Sequence, residues 1–165
     1  MSTRPSRLTI VSGGQTGVDR AALDAALAVG LACGGWCPAG RRAEDGPIPA
    51  RYPVRETPSA EYDERTRWNV RDSDATLILT IGAPTGGTAY TIEVARRLAK
   101  PIYVVDLTAE PLIAEAFAWI REIGPKVLNV AGPRESKAAS VYAKAYAWCV
   151  ALFSAHAAGQ SSSSP

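Results

Sequence analysis

The stretch Ile10-Val11-Ser12-Gly13-Gly14-Gln15-Thr16-Gly17-Val18-Asp19-Arg20 constrains the fold of this chain more than any other. A β-branched run breaks into a Gly-rich turn. Val18, Ala22, Ala25, Ala26 and Val29 then recur at i, i+4, i+7, i+8 and i+11, which is one face of an α-helix. Strand, tight turn and helix in that order open a β-α-β unit, and such units build parallel sheets. The same order aims backbone N–H groups and a positive helix end at one point, which suits a phosphate. Glycine lets the backbone come close to an anion, because no Cβ intervenes. Gly13, Gly14, Gln15, Thr16 and Gly17 are therefore candidate phosphate ligands. The turn is neither a Walker A loop, which ends in Gly-Lys-Ser/Thr, nor a Gly-x-Gly-x-x-Gly dinucleotide fingerprint.

Strand and helix signals alternate along the rest of the chain. Leu8–Ser12 reads as a strand, Val18–Val29 as a helix and Leu31–Cys37 as a second strand. A helix is expected over about Ala60–Arg71, then an apolar third strand over Thr76–Ile81 and a helix over Ala89–Ala99. Ile102–Asp106 is the fourth strand, Ile113–Glu122 a helix, Val127–Ala131 the fifth strand and Ser136–Ser154 the last helix. This pattern predicts an α/β fold, a Rossmann-like three-layer α/β/α arrangement around a five-stranded parallel sheet. At 165 residues and 47% hydrophobic, residues 1–158 fit one domain with a proper core, and the Ser-rich residues 159–165 read as a disordered tail.

Two further Gly-rich turns follow strands. Gly82-Ala83-Pro84-Thr85-Gly86-Gly87-Thr88 precedes a helix, and Gly132-Pro133-Arg134-Glu135-Ser136-Lys137 precedes the last one. All three turns fall at the carboxyl edge of the sheet, where open α/β sheets bind ligands. Gly86, Gly87 and Thr88 join the candidate set. Arg134 and Lys137 bring the charge that a neutral Gly turn lacks, with Ser136 between them. From Pro38 to Ala60 five prolines interrupt any periodic pattern, and a stretch of this kind reads as a lid or binding loop. Arg41, near its start, is a further candidate ligand residue. In the helix before the third strand, Arg65 and Asn69 are four apart and share a face.

The bulk numbers exclude other classes. A net charge of +2 with mixed signs gives no basic field for nucleic acid. No apolar run reaches the roughly 18 residues of a membrane span, and no secretory signal opens the chain. Cys33, Cys37 and Cys149 with the single His156 do not make a zinc site, so no metal ligands are assigned and a cytoplasmic protein with reduced thiols is expected. Trp119, Trp148, Tyr142, Tyr146 and Phe153 give the last two helices more aromatic surface than one sheet contact needs, which predicts a homodimer or homotetramer.

Ser12–Arg20, Gly35-Trp-Cys-Pro-Ala-Gly-Arg41, Ala43-Glu-Asp-Gly46 and Thr85–Thr88 together resemble the molybdenum-carrier family (molybdenum cofactor carrier-like). That family belongs to a Rossmann-like superfamily that includes the cytokinin-activating phosphoribohydrolases, once called lysine-decarboxylase-like. The resemblance covers about residues 7–155 and implies an oligomeric protein that binds a molybdenum cofactor, through its pterin phosphate, or a nucleotide. Glu64-Arg65-Thr66, six residues and Ser73-Asp74-Ala75 are similar to a phosphoribohydrolase pattern in which Arg65 falls on the catalytic arginine. The catalytic glutamate of those enzymes lies two or three residues beyond the threonine of their Gly-rich turn. Here those positions are Tyr90 and Thr91, and Glu93 comes five later, where a helix turns it to another side. The order of motifs implies a circular permutation, with the strand from Val127 inserted centrally and a sheet order of 2-1-5-3-4.

Two functions follow as expectations. The first is a carrier or sensor that holds a small phosphate-bearing ligand, without nucleic acid or membrane as partner. The second is a hydrolase that splits nucleoside 5′-monophosphates into base and ribose 5-phosphate. It would use Arg65 with a carboxylate from Glu93, Glu44 or Asp45. The displaced glutamate favours the first.

Overall fold

Residues Ala75–Thr80 are buried at every position, as a strand must be when helices cover both faces of its sheet. In the computed structural model, which describes residues 7–161, this strand is β3 of a parallel sheet. The others are β1 (Thr9–Val11), β2 (Ala32–Gly34), β4 (Ile102–Asp106) and β5 (Val127–Ala131). Their spatial order is β2-β1-β5-β3-β4, the permuted order expected from the motifs. The helices are α1 (Val18–Val29), α2 (Tyr62–Arg71), α3 (Gly86–Arg97), α4 (Ile113–Ile123) and α5 (Val141–Ser161).

Side-chain alternation along the strands divides the core. Leu77 and Leu79 of β3 pack with Ala22 and Ala26 of α1, Ile120 of α4, and Ala145, Leu152 and Phe153 of α5. On the other side Val70 of α2 packs with Val94 and Ala95 of α3. The small alanines of α1 let α5 come close, so the aromatics of α5 are largely spent inside the chain. Phe153 is fully buried, Tyr142 Oη donates to Asp24 at 2.5 Å, and Trp148 Nε1 donates to the Pro111 carbonyl at 3.2 Å.

Several boundaries depart from expectation; α3, for one, starts at Gly86 rather than Ala89. The second strand is cut at Gly35, whose φ of +124° turns the chain out of the sheet. A Cβ there would stand 2.8 Å from Ser12 N, so only glycine passes. Trp36–Cys37 then pairs in parallel with Arg55–Glu56 as a separate ribbon. The last helix starts at Val141, because the Glu135 carboxylate caps it by accepting from Ser140 N at 2.7 Å and Tyr142 N at 2.9 Å. It also runs to Ser161, so Gly159–Ser161 of the expected disordered tail are helical, and residues 162–165 lie outside the described residues.

The Pro38–Ala60 stretch is built rather than structureless. A 3₁₀ turn at Ala39–Arg41 leads into an antiparallel ribbon of Arg42–Ala43 with Gly46–Pro47. Ala43, Ile48, Tyr52 and Val54 form a small core of their own with Cys37 and with Leu23 of α1.

Candidate functional site

A cleft of about 550 Å³ lies at the carboxyl edge of β1, β5 and β3, where the strand order reverses. The turn after β1 contributes Gly13 and Gln15, and α1 contributes Asp19. From α2 come Tyr62, Arg65 and Asn69, from β3's turn and α3 come Thr85 to Thr88 and Thr91, and from β5 and its turn come Asn129, Arg134 and Lys137.

The Gly-rich turns differ in what they offer a ligand. In the first, Gln15 N donates to Asp19 Oδ2, Thr16 N to Gln15 Oε1 and Val18 N to the Pro133 carbonyl. Its glycines are covered as well. A Cβ on Gly13 would overlap the Arg65 guanidinium, one on Gly14 would stand 2.8 Å from Ile48, and one on Gly17 would strike the Pro133–Glu135 backbone. These glycines serve close packing, and of the turn only Gly13 and Gln15 also line the cleft. The turn before α3 is the open one. A Cβ at Gly86 or Gly87 would meet nothing within 4 Å, and their N–H groups stand at the start of α3 with no backbone acceptor among the described residues. Thr88, 6% exposed, has no protein partner for its hydroxyl among the described residues. The Lys137 ammonium is likewise unpaired among them.

Asp19 was not among the residues expected. It is 5% exposed and carries an ion pair, Arg65 Nη1 to Asp19 Oδ2, at 3.2 Å. Burial pushes the Asp19 carboxyl up from its ordinary value, and Arg65 and the N–H of Gln15 pull it back in part. Arg65 Nε also donates to the Tyr62 carbonyl at 3.2 Å, which ties the guanidinium to α2. Asn69 spends its amide on the backbone of Trp36, at 2.8 and 2.9 Å, and so anchors the diverted ribbon. Asn129 Nδ2 is 3.4 Å from Thr76 Oγ1 on the neighbouring strand.

The other expected residues lie outside the cleft. Arg41 gives its guanidinium to four carbonyls, of Ile48, Pro49, Tyr52 and Val54, at 2.8–3.1 Å, and so holds the small core together instead of a ligand. Glu93 is exposed and paired with Arg97 one turn on. Thr16 and Ser136 both engage Glu44, and Asp45 holds Arg20 in a bidentate pair at 2.5 and 2.7 Å. None of the three carboxylates expected for a hydrolase lines the cleft. Among the described residues no group of three or more His, Cys, Asp or Glu side chains is placed to hold a metal ion.

Asn129 and Asp19 each carry a signal in the sequence. Asn129 interrupts the apolar run Val127-Leu128-Asn129-Val130-Ala131, and a polar residue in a buried strand needs a reason. Asp19 stands in the first turn of the helix behind the Gly-rich turn, where a cap and a site residue look alike.

The model of a family described as the circularly permutated YpsA SLOG family matches residues 10–153. No curated protein matches the chain. A crystal structure from Syntrophus aciditrophicus SB, described as a “Putative molybdenum carrier protein”, is 40% identical. The alignment has a TM-score of 0.83 and covers 92% of this chain and 97% of that chain.

Proposed function

The chain belongs to the circularly permutated YpsA SLOG family, and from that premise we propose that its cleft binds and carries a small ligand through a phosphate, in the class of a pterin-phosphate cofactor or a nucleotide. The observation that carries this reading is the α3 turn, where the Gly86 and Gly87 N–H groups, the solvent-accessible hydroxyl of Thr88 and the helix's positive end meet at one wall of the cleft. Lys137 and Arg134 line the same cleft and add the charge. The name of the Syntrophus protein points to a molybdenum-related cargo for that relative. The donor set here fits the phosphate end of such a cargo, and the cleft offers no thiolate for its metal, so the protein's grip rests on the phosphate.

Titration calorimetry with inorganic phosphate tests this. Thr88→Ala is expected to weaken binding about tenfold, the loss of one hydrogen bond to a charged group. Lys137→Ala should weaken it further as salt is lowered, since an exposed ammonium acts through space. Phosphate affinity unchanged in both variants would refute the reading.

Asp19 favours a second reading. With Arg65 it places a carboxylate and a guanidinium in the cleft, the pair that N-glycosidic hydrolysis of a nucleoside 5′-monophosphate requires. Chromatographic release of free base, abolished in Asp19→Asn, would establish it. Assembly as a homodimer or homotetramer also remains our proposal. Val104 on the edge strand β4 and Leu112 are 45% and 63% exposed, and light scattering should give two or four times 17.4 kDa.

A further inference from the structure

Glu44 sits at the tip of the ribbon formed by Arg42–Ala43 and Gly46–Pro47, and its carboxylate reaches across to the turns after β1 and β5. There it accepts from the Thr16 hydroxyl, from Ser136 N at 3.2 Å and from Ser136 Oγ at 2.5 Å. Arg134 Nε lies 3.5 Å from the same carboxylate. Two hydroxyls, one backbone N–H and a guanidinium around one anionic group are the donors a phosphate takes.

We propose that Thr16, Ser136 and Arg134 form a second anion site, which the Glu44 carboxylate fills as an internal ligand and which an anionic group of the bound molecule claims by displacing it. The inference rests on the phosphate-binding reading of the neighbouring cleft and adds that the ligand class carries a second anionic group, phosphate or carboxylate. Arg134 is the link, since it lines the cleft and also touches Glu44. A ligand anchored at α3 that recruits Arg134 must therefore compete with Glu44 for it.

The neighbouring contacts make the exchange local. Asp45 stays clamped to Arg20, and Gln15 Oε1 accepts from Glu44 N at 2.9 Å, so the backbone of the ribbon tip is held independently of the Glu44 side chain. Only that side chain has to swing out. Burial opposes charge on Glu44, but the bonds from Ser136 and Thr16 outweigh it and hold the carboxyl below its ordinary value. It is ionised near neutral pH and competes as an anion.

Amide spectra of the ¹⁵N-labelled full chain, titrated with inorganic phosphate, separate the two sites. In the wild type the Gly86 and Gly87 amides should move while Ser136 responds weakly. In Glu44→Ala the Ser136 amide should move as well, half-saturating at no more than about a tenth of the wild-type phosphate concentration. Asp45→Asn loosens the ribbon without vacating the site, and Ser136 should behave in it as in the wild type. Should the alanine variant unfold, Glu44→Gln removes the charge in the same shape and should shift Ser136 in the same direction by a smaller factor. A Ser136 amide as insensitive in the Glu44 variants as in the wild type overturns the second site. Silent Gly86 and Gly87 amides overturn the phosphate reading of the α3 turn instead, whatever Ser136 does.

Discussion

Arg65→Ala should cost about 3–5 kcal/mol of unfolding free energy near neutral pH, because it strands the Asp19 carboxylate in the protein interior without its counter-charge. The cost should depend on pH in a definite direction. Burial already raises the Asp19 carboxyl above its ordinary value, and the guanidinium is the largest influence lowering it. Without Arg65 the folded-state value rises further. A group raised in the folded state contributes its full stability below its unfolded value and loses it as the pH climbs through the folded one. The wild type and the variant should therefore draw together as the pH falls from about 8 to about 5, since protonation neutralises the stranded group. Arg65→Ala with Asp19→Asn should recover most of the loss, and Arg65→Lys should retain part of the pairing. Chemical denaturation across that range measures all of this. A gap that stays constant with pH would mean the two side chains are not an ion pair in the folded protein.

Gly17→Ala is expected to cost about 3 kcal/mol or more and to lower the melting temperature by roughly 10 °C, for reasons that have nothing to do with ligand. Gly17 has a φ of +78°, and an added methyl would stand 2.8 Å from Glu135 N and 2.9 Å from the Arg134 carbonyl carbon. These are backbone atoms of the turn after β5, so no side-chain rotation relieves the overlap. Gly86→Ala is the comparison, with a φ of +53° but open space around its Cβ. It should show backbone strain of about 1 kcal/mol and no packing loss. Equal melting temperatures for the two variants would contradict the distinction between a packed turn and an open one.

That distinction is also where sequence reading ran out. The sheet order and the edge that carries the cleft were legible, because strand-to-helix alternation and the placement of Gly-rich turns are local patterns with few topological solutions. What each turn offers was hidden. Gly13-Gly14-Gln15-Thr16-Gly17 and Thr85-Gly86-Gly87-Thr88 look alike as strings, yet the first is filled by Arg65, Ile48 and Pro133 from distant parts of the chain. Arg41 misled for a related reason. An arginine in a proline-rich loop reads as a free cation, and only the folded loop brings four carbonyls around it. Asp19 was overlooked because its meaning depends on Arg65, a partner 46 residues away.

The permuted order has a consequence for how the chain is made. Strand β5 emerges from the ribosome after the other four, yet it belongs between β1 and β3 and joins two pairs that otherwise do not touch within the sheet. Until residues 127–131 are synthesised, each pair presents an unpaired apolar edge, and α5, which covers α1, is still to come. The nascent protein thus holds the inner edge of β1 bare from the completion of β2 at Gly34, and both inner edges bare from the completion of β4 at Asp106, until Val127–Ala131 is made, a period when unpaired strands invite mispairing and chaperones.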